Sequence, residues 1–396
     1  MPSQAERKRA RTRTKPNVAR KVKSSSFSWE AVAFAILIAA ASSTYYYFNY
    51  SKISLLPVSS ESTEQDFKED VPRTPWEPTP DNSIFNVVDI PGKGKGVIAG
   101  RDIKQGELVL RDRPLFILPR AINGSPIEPI IEKLTQLTPE EQEAFFELSF
   151  VNFPTHLNPE EHPAEVALAI FQTNAVSTGD GVGIFPTMAR LNHGCSSAFN
   201  VVYMWRPEEN QIVVHALKDV KQGEELITTY TNTRRPRDQR RAFLQDHYGF
   251  HCTCAVCSLP DDLSKASDER LSKISYLYEK FAGWGRQEID GTQAIEYIRE
   301  IWRIENEEGY TSERGSLSAD AAWIAAAHSD ANATQAWAEK AIHWFTAEIG
   351  ADTPQVVTLE VIVDHPQRHR AWGTRDAMDV GGPDQASGES GFNLSK

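Results

Sequence analysis

The sequence predicts an α+β fold, in which small sheets of short strands bracket an inserted helical block and further helices follow. Three observations carry this. Short apolar runs between Gly and Pro turns fill residues 84–120 and 200–230, helical periodicity replaces them over about 121–175, and helical spacing returns after Cys257. The chain has 396 residues, enough for two ordinary domains, and 40 % apolar against 24 % charged residues allows a real core.

Residues 1–30 carry nine Lys/Arg against Glu6 and Glu30, a basic arm without apolar periodicity that is expected to be disordered. A nuclear localisation signal, an organelle presequence and the cytoplasmic flank of a membrane anchor compete for it. Ala31 to Tyr50 is uncharged, flanked by Trp29 and by Tyr45, Tyr46, Tyr47 and Phe48. Twenty such residues at about 1.5 Å each would span a hydrocarbon layer of roughly 30 Å. A single-pass membrane anchor is therefore expected over 31–50, with a cleaved signal peptide as the competing reading. Residues 51–83 are Ser-, Pro- and acid-rich and read as a tether.

Strand signals follow in NVVDI, GVIAG and ELVLRDRPLFILP. Thr138-Pro139-Glu140-Glu141 is a capping box that should start one helix, and Asn158-Pro159-Glu160-Glu161 offers a second start before EVALAIF. Strands return at Asn200–Trp205, Gln211–Leu217 and ELITTY. RDIKQGEL (101–108) and KDVKQGEEL (218–226) are nearly the same phrase, which predicts similar hairpin elements at both ends of the insertion. Residues 259–350 are expected to be helical; 351–396 begin with VVTLEVIV, turn Gly-, Asp- and Ser-rich, and are expected to be mostly disordered.

Four cysteines in so long a chain do not make a disulfide scaffold. Cys252, Cys254 and Cys257 stand as C-x-C-x-x-C, and Cys195 lies some sixty residues earlier in RLNHGCSSAFN. Four thiolates satisfy one tetrahedral zinc, a closed and therefore structural site. Buried or redox thiols are the competing reading, and His193 and His251 are alternative ligands. Gly92, Gly94 and Gly96 alternate with Lys93 and Lys95, a turn whose backbone a ligand can approach and whose lysines suit a carboxylate or phosphate. Alone it reads as a hairpin turn. The charge of −12 becomes −19 once the +7 of residues 1–30 is set aside. An acidic body disfavours nucleic acid as a direct ligand and favours basic protein or peptide partners.

Taken together and in this order, KGKG (93–96), NHGC (192–195), GEELITTY (223–230) and CTCAVC (252–257) resemble the SET family of protein lysine methyltransferases, especially the SET-and-MYND branch and its fungal MYND-less relatives. The resemblance covers 84–258 well and 259–350 loosely. It implies a SET domain with a helical insertion, a post-SET zinc segment and an α-helical C-terminal region. It implies S-adenosylmethionine as cofactor, one structural Zn2+ on Cys195, Cys252, Cys254 and Cys257, and a lysine-bearing protein or peptide as substrate, histone or non-histone. By the same resemblance Lys93, Gly94 and Lys95 line the cofactor site, Asn174 closes the insertion onto it, Asn192 and His193 hold it, and Phe250 covers the adenine. Tyr230 is the catalytic tyrosine at the transfer pore. An ordinary strand aromatic is the bland reading of Tyr230, and a hydrophobic plug that of Phe250. The chain departs from the family pattern where SSAF lengthens the Cys195–Asn200 loop, so Asn200 is assigned no cofactor role. No cysteines remain for a MYND module. A SET-fold binding or scaffold protein without turnover is the alternative function. The expected location is membrane-anchored, or nuclear or cytoplasmic if 31–50 does not insert.

Overall fold

The computed structural model describes residues 84–122 and 124–384. The basic arm, the apolar stretch 31–50 and the tether lie outside the described residues. The expectation of a membrane protein is corrected: among the described residues no helix is long and apolar enough to cross a membrane.

Three small sheets share the first half of the described chain. In the first, β1 (Phe85–Ile90) and β2 (Gly94–Ala99) form a hairpin. Its turn places Gly92 and Gly94 at φ +78° and +74°, a region that side chains disfavour. β10 (Glu225–Thr228) pairs antiparallel with β2, and the two-residue β7 (Asn192–His193) pairs parallel with β10, giving the order β1-β2-β10-β7. The second sheet orders β3 (Leu108–Asp112), β9 (Gln211–Ala216) and β8 (Val201–Arg206), and the third orders β4 (Ile117–Pro119), β6 (Gly181–Gly183) and β5 (Val176–Ser177). Val97, Leu110, Val214, Val220 and Leu226 are buried in a core shared by the first two sheets.

The two echoing phrases pack against each other about a local two-fold. Ile103 and Val220 exchange both backbone hydrogen bonds, at 2.8 and 2.9 Å. Lys104 Nζ pairs with Asp219, while Lys221 Nζ pairs with Asp102. The Gln105 and Gln222 amides donate to Asp219 and Asp102 in turn, and their side chains reach the Leu217 and Gly100 carbonyls. Similar sequence has made similar turns, and each supplies the other's partners.

Between the halves lie α1 (Ile127–Thr135), α2 (Pro139–Phe146) and α3 (Pro163–Asn174). The capping box at Thr138 forms as expected, with both reciprocal bonds to Glu141. The second start does not. Asn158 spends its side chain on the Glu160 amide, and α3 begins later, with Pro163 at its first turn.

After α4 (Arg237–Tyr248) come α5 (Asp261–Phe281), α6 (Gly291–Glu308), α7 (Arg314–Ala327) and α8 (Ala331–Ile349). They bury one apolar core of Ile295, Ile298, Trp337, Phe345 and a run of alanines that lets α7 and α8 approach closely. The tail departs from expectation. VVTLEVIV lies in α9 (Pro354–Asp364), which buries Val356, Leu359 and Ile362. The Gly- and Asp-rich stretch beyond it folds back as a strap. Asp330 accepts from the Val380 and Gly381 amides, and Trp337 donates to the Gly381 carbonyl. Composition alone signals disorder there, but tertiary partners satisfy its backbone.

Candidate active site and metal centre

β7 is where two clusters of side chains meet. On the metal side, Cys195 leaves β7 and faces the loop after α4 that carries Cys252, Cys254 and Cys257. The four Sγ atoms lie within 4.8 Å of one another, with Cys195 and Cys257 at 3.6 Å. Tetrahedral zinc with bonds of about 2.3 Å holds its sulfurs roughly 3.8 Å apart, so the donor set and spacing fit that ion. Crowded by hydrogen bonding with the other three thiols, Cys195 has its pKa pushed far above the ordinary thiol range. Arg240 is fully buried beside Cys257, and Arg241 donates to the Cys252 and Cys257 carbonyls at 3.2 and 2.8 Å, tying the cysteine loop to α4.

His193 stands outside the four-thiol cluster but touches it. Its Nδ1 accepts from the Tyr230 amide at 2.9 Å, which leaves the ring proton on Nε2, 3.2 Å from Cys195 Sγ. Burial pushes its pKa down to about 4, so the ring stays neutral at physiological pH. Gly194 must be glycine, since a Cβ there would meet Ile227 at 2.8 Å and the Phe199 amide at 3.0 Å.

The aromatic side of the site grows from the same residues. Tyr230, two residues past β10, donates its hydroxyl to the Leu191 carbonyl at 2.6 Å. Its ring lies 5.3 Å from His193 and 4.9 Å from Tyr248, and Phe250 lies 6.2 Å from His193. Gly249, at φ +70°, ends α4 and turns the chain so that Tyr248 and Phe250 join one cluster with the buried thiols. Burial raises the Tyr230 pKa well above the usual phenol value and that of Tyr248 to about 12.

The glycine–lysine turn forms the second cluster. Asn192 Nδ2 donates to the Lys95 carbonyl at 3.2 Å and to Glu225 Oε1 at 2.9 Å. Two acceptors around one nitrogen fix the amide's orientation and leave Oδ1 as its remaining acceptor. Glu225 Oε2 also pairs with Lys93 Nζ at 2.5 Å. A Cβ on Gly96 would stand 2.8 Å from Asn192 Nδ2, so this turn and β7 touch only because glycine is there.

Lys93, Gly94, Lys95, Asn192, His193, Tyr230, Phe250 and the four cysteines thus form one continuous region. Asn174 ends α3 and donates to the Ser149 and Ile170 carbonyls, within the insertion rather than to β7. Asn200 staples its loop to β10, donating to the Glu225 carbonyl and accepting from the Ile227 amide. Sequence reasoning missed Glu225 and Tyr248. The first stands inside GEEL, and the second two residues before Phe250.

Known proteins place these residues in context. A family description of the SET domain matches residues 94–231. The histone-lysine N-methyltransferase set5 of Schizosaccharomyces pombe is 30% identical over 292 residues, covering 73% of this chain and 86% of that protein. The N-lysine methyltransferase SMYD2 of Homo sapiens is 36% identical over 93 residues, 23% of this chain and 21% of that protein. Among solved structures, the SET domain of LSMT bound to lysine and AdoHcy aligns at a TM-score of 0.27 and 12% identity, over 72% of this chain and 87% of that one.

Proposed function

Because the chain belongs to the SET-domain family, we propose that it transfers a methyl group from S-adenosylmethionine to lysine side chains of proteins. The observation that carries the reading is the junction at Asn192–His193. There a glycine–lysine turn, a neutral aromatic cluster and a thiol cluster fit for zinc share one dipeptide.

The cofactor supplies an electrophilic methyl group. Lys93 and Lys95, paired in the free protein with Glu225 and Asp89, stand where its carboxylate would sit and can exchange those partners for it, and Asn192 Oδ1 is a fixed acceptor for its ammonium. Phe250 offers an apolar face for the adenine. Tyr230 and Tyr248 line an environment that disfavours an ammonium ion, so a substrate lysine entering it is held neutral by desolvation. With its pKa raised by burial, the Tyr230 hydroxyl keeps its proton and orients the amine instead of acting as base. The lysine proton must then leave to solvent before the amine docks. The four cysteines and Arg241 hold the wall that bears Phe250 against β7. The acidic body favours basic, histone-like proteins as substrates. The basic residues 1–30 suit a nuclear address, checked by imaging the tagged full chain beside one lacking them.

The full chain is incubated with labelled cofactor and basic lysine-rich proteins, beside Tyr230→Phe. Transfer by the wild type is expected, and the variant should bind the cofactor normally but turn over at least about 10-fold more slowly, as misorientation alone can cost about 100-fold. Cofactor binding without transfer to any protein would instead make the chain a binding module.

A further inference from the structure

The loop that departs from the family pattern, Ser196 to Phe199, leads straight out of the metal ligand Cys195 and is plugged into the C-terminal helices. Ser196 sits at φ +37° and is 2 % exposed, an unfavourable backbone for a residue other than glycine. Such a conformation persists only where its surroundings dictate it. Its hydroxyl donates to Glu308 Oε1 at 3.1 Å. Glu308 closes α6 and is itself buried, and its carboxylate also accepts from Ser267 at 2.5 Å and from Arg270 at 2.9 Å, both on α5. One carboxylate therefore gathers two helices and the residue after a zinc ligand.

Neighbouring contacts repeat the connection. Phe199 meets Tyr310 edge-on at 5.9 Å. Gly309, which ends α6, packs on Ser197, where an added Cβ would come within 3.3 Å. The added loop length thus grips the α5–α6 pair, beside Arg237 and Arg240 of α4, which reach Asp261 and Asp268 on α5.

We propose that Glu308 is a positioning residue for the site. By holding Ser196, it fixes Cys195 in the metal cluster and, through the Cys195–His193–Tyr230 chain of hydrogen bonds, the dipeptide that faces the cofactor. The cofactor half of this inference rests on the function proposed above; the metal half does not. The C-terminal helices then act on the site from a residue that touches neither substrate nor cofactor.

Three measurements on the full, zinc-loaded chain decide it: zinc release to a chromogenic chelator, S-adenosylmethionine affinity by calorimetry, and thermal unfolding. Glu308→Gln should release zinc about 10-fold faster and bind the cofactor about 10-fold more weakly, as expected for a group supporting a metal ligand from outside. Ser196→Ala should reproduce most of this, and the double variant should add little to the worse single change, because the two act through one bond. Ser196→Ala, which removes a single oxygen, carries the test if Glu308→Gln does not fold. Glu300→Gln, on the same helix but in a surface pair with Lys273 and Arg303, should change neither zinc release nor affinity. A variant that melts earlier yet releases zinc and binds cofactor like the wild type overturns the proposal and leaves Glu308 as glue between two halves. A chain that never retains zinc overturns it too. A wild type that holds zinc but has no affinity for S-adenosylmethionine refutes the proposed function instead, while zinc release still judges Glu308.

Discussion

Asn192 shows how much of the site rests on single hydrogen bonds. Its amide orientation is set by the Lys95 carbonyl and the Glu225 carboxylate, and Glu225 also neutralises Lys93. Glu225→Gln replaces a pure acceptor with a group that can donate, which lets the Asn192 amide turn over. Cofactor affinity should fall about 10-fold, close to 1.4 kcal/mol, with zinc content unchanged. Calorimetry beside metal analysis checks this, and wild-type affinity would sink it. At this scale the sequence was most legible where spacing itself is the signal, as in N-H-x-C and C-x-C-x-x-C. Glu225 was not legible, because in sequence it is an acid after a turn. Only the pairing of β10 with β7 brings it to a residue 33 positions away.

Helix α7 begins against α8 with Gly315, where a Cβ would stand 2.9 Å from two atoms of the Phe345 ring. In an isolated helix Gly→Ala gains about 1 kcal/mol, whereas overpacking a fitted core costs about 1–3 kcal/mol. The second effect should win, so Gly315→Ala is expected to lower the melting temperature by a few degrees, and a rise would show that Phe345 yields freely. Elements with local signals were read correctly, as with the Thr138 capping box. Those decided by distant partners were not. The start of α3 was misplaced because Asn158 had a nearer amide to serve, and the tail was misjudged because Asp330 and Trp337 are invisible to composition. The SSAF loop was noticed as a departure, but its socket on α5 and α6 could not be read from its four letters.

At the scale of the whole molecule, the helical half encloses two carboxyl groups, Glu305 and Glu348, away from water. Burial raises the pKa of Glu348 to about 8 and that of Glu305 to about 7. Arg314 is their nearest cation, 3.9 Å from Glu305 and lying over the Trp302 and Trp344 rings. Both carboxyls hold protons in the folded chain at a pH where the unfolded chain has lost them. Their contribution is thus fully present below about pH 4.5 and lost as pH rises through 7 and 8. Glu348→Gln should match the wild type near pH 4.5 and exceed it near pH 9 by on the order of 2 kcal/mol, read from denaturant melts. Parallel stability curves would refute this. Zinc removal should act more locally, loosening the Phe250 wall before the α6–α8 core. Hydrogen exchange on the chelated protein would detect that order, and simultaneous loss of protection throughout would contradict it. The paired turns at Ile103 and Val220 have a different consequence, for how this fold tolerates length. Lys104 and Asp219 meet across 115 residues of chain, with α1, α2 and α3 inside the loop they close. Closing a loop twice as long would cost only about 0.6 kcal/mol more. Loop closure therefore leaves the length of the insertion free to vary while the two turns keep finding each other, and what restrains it is its own packing, such as Asn152 donating to the His247 carbonyl on α4.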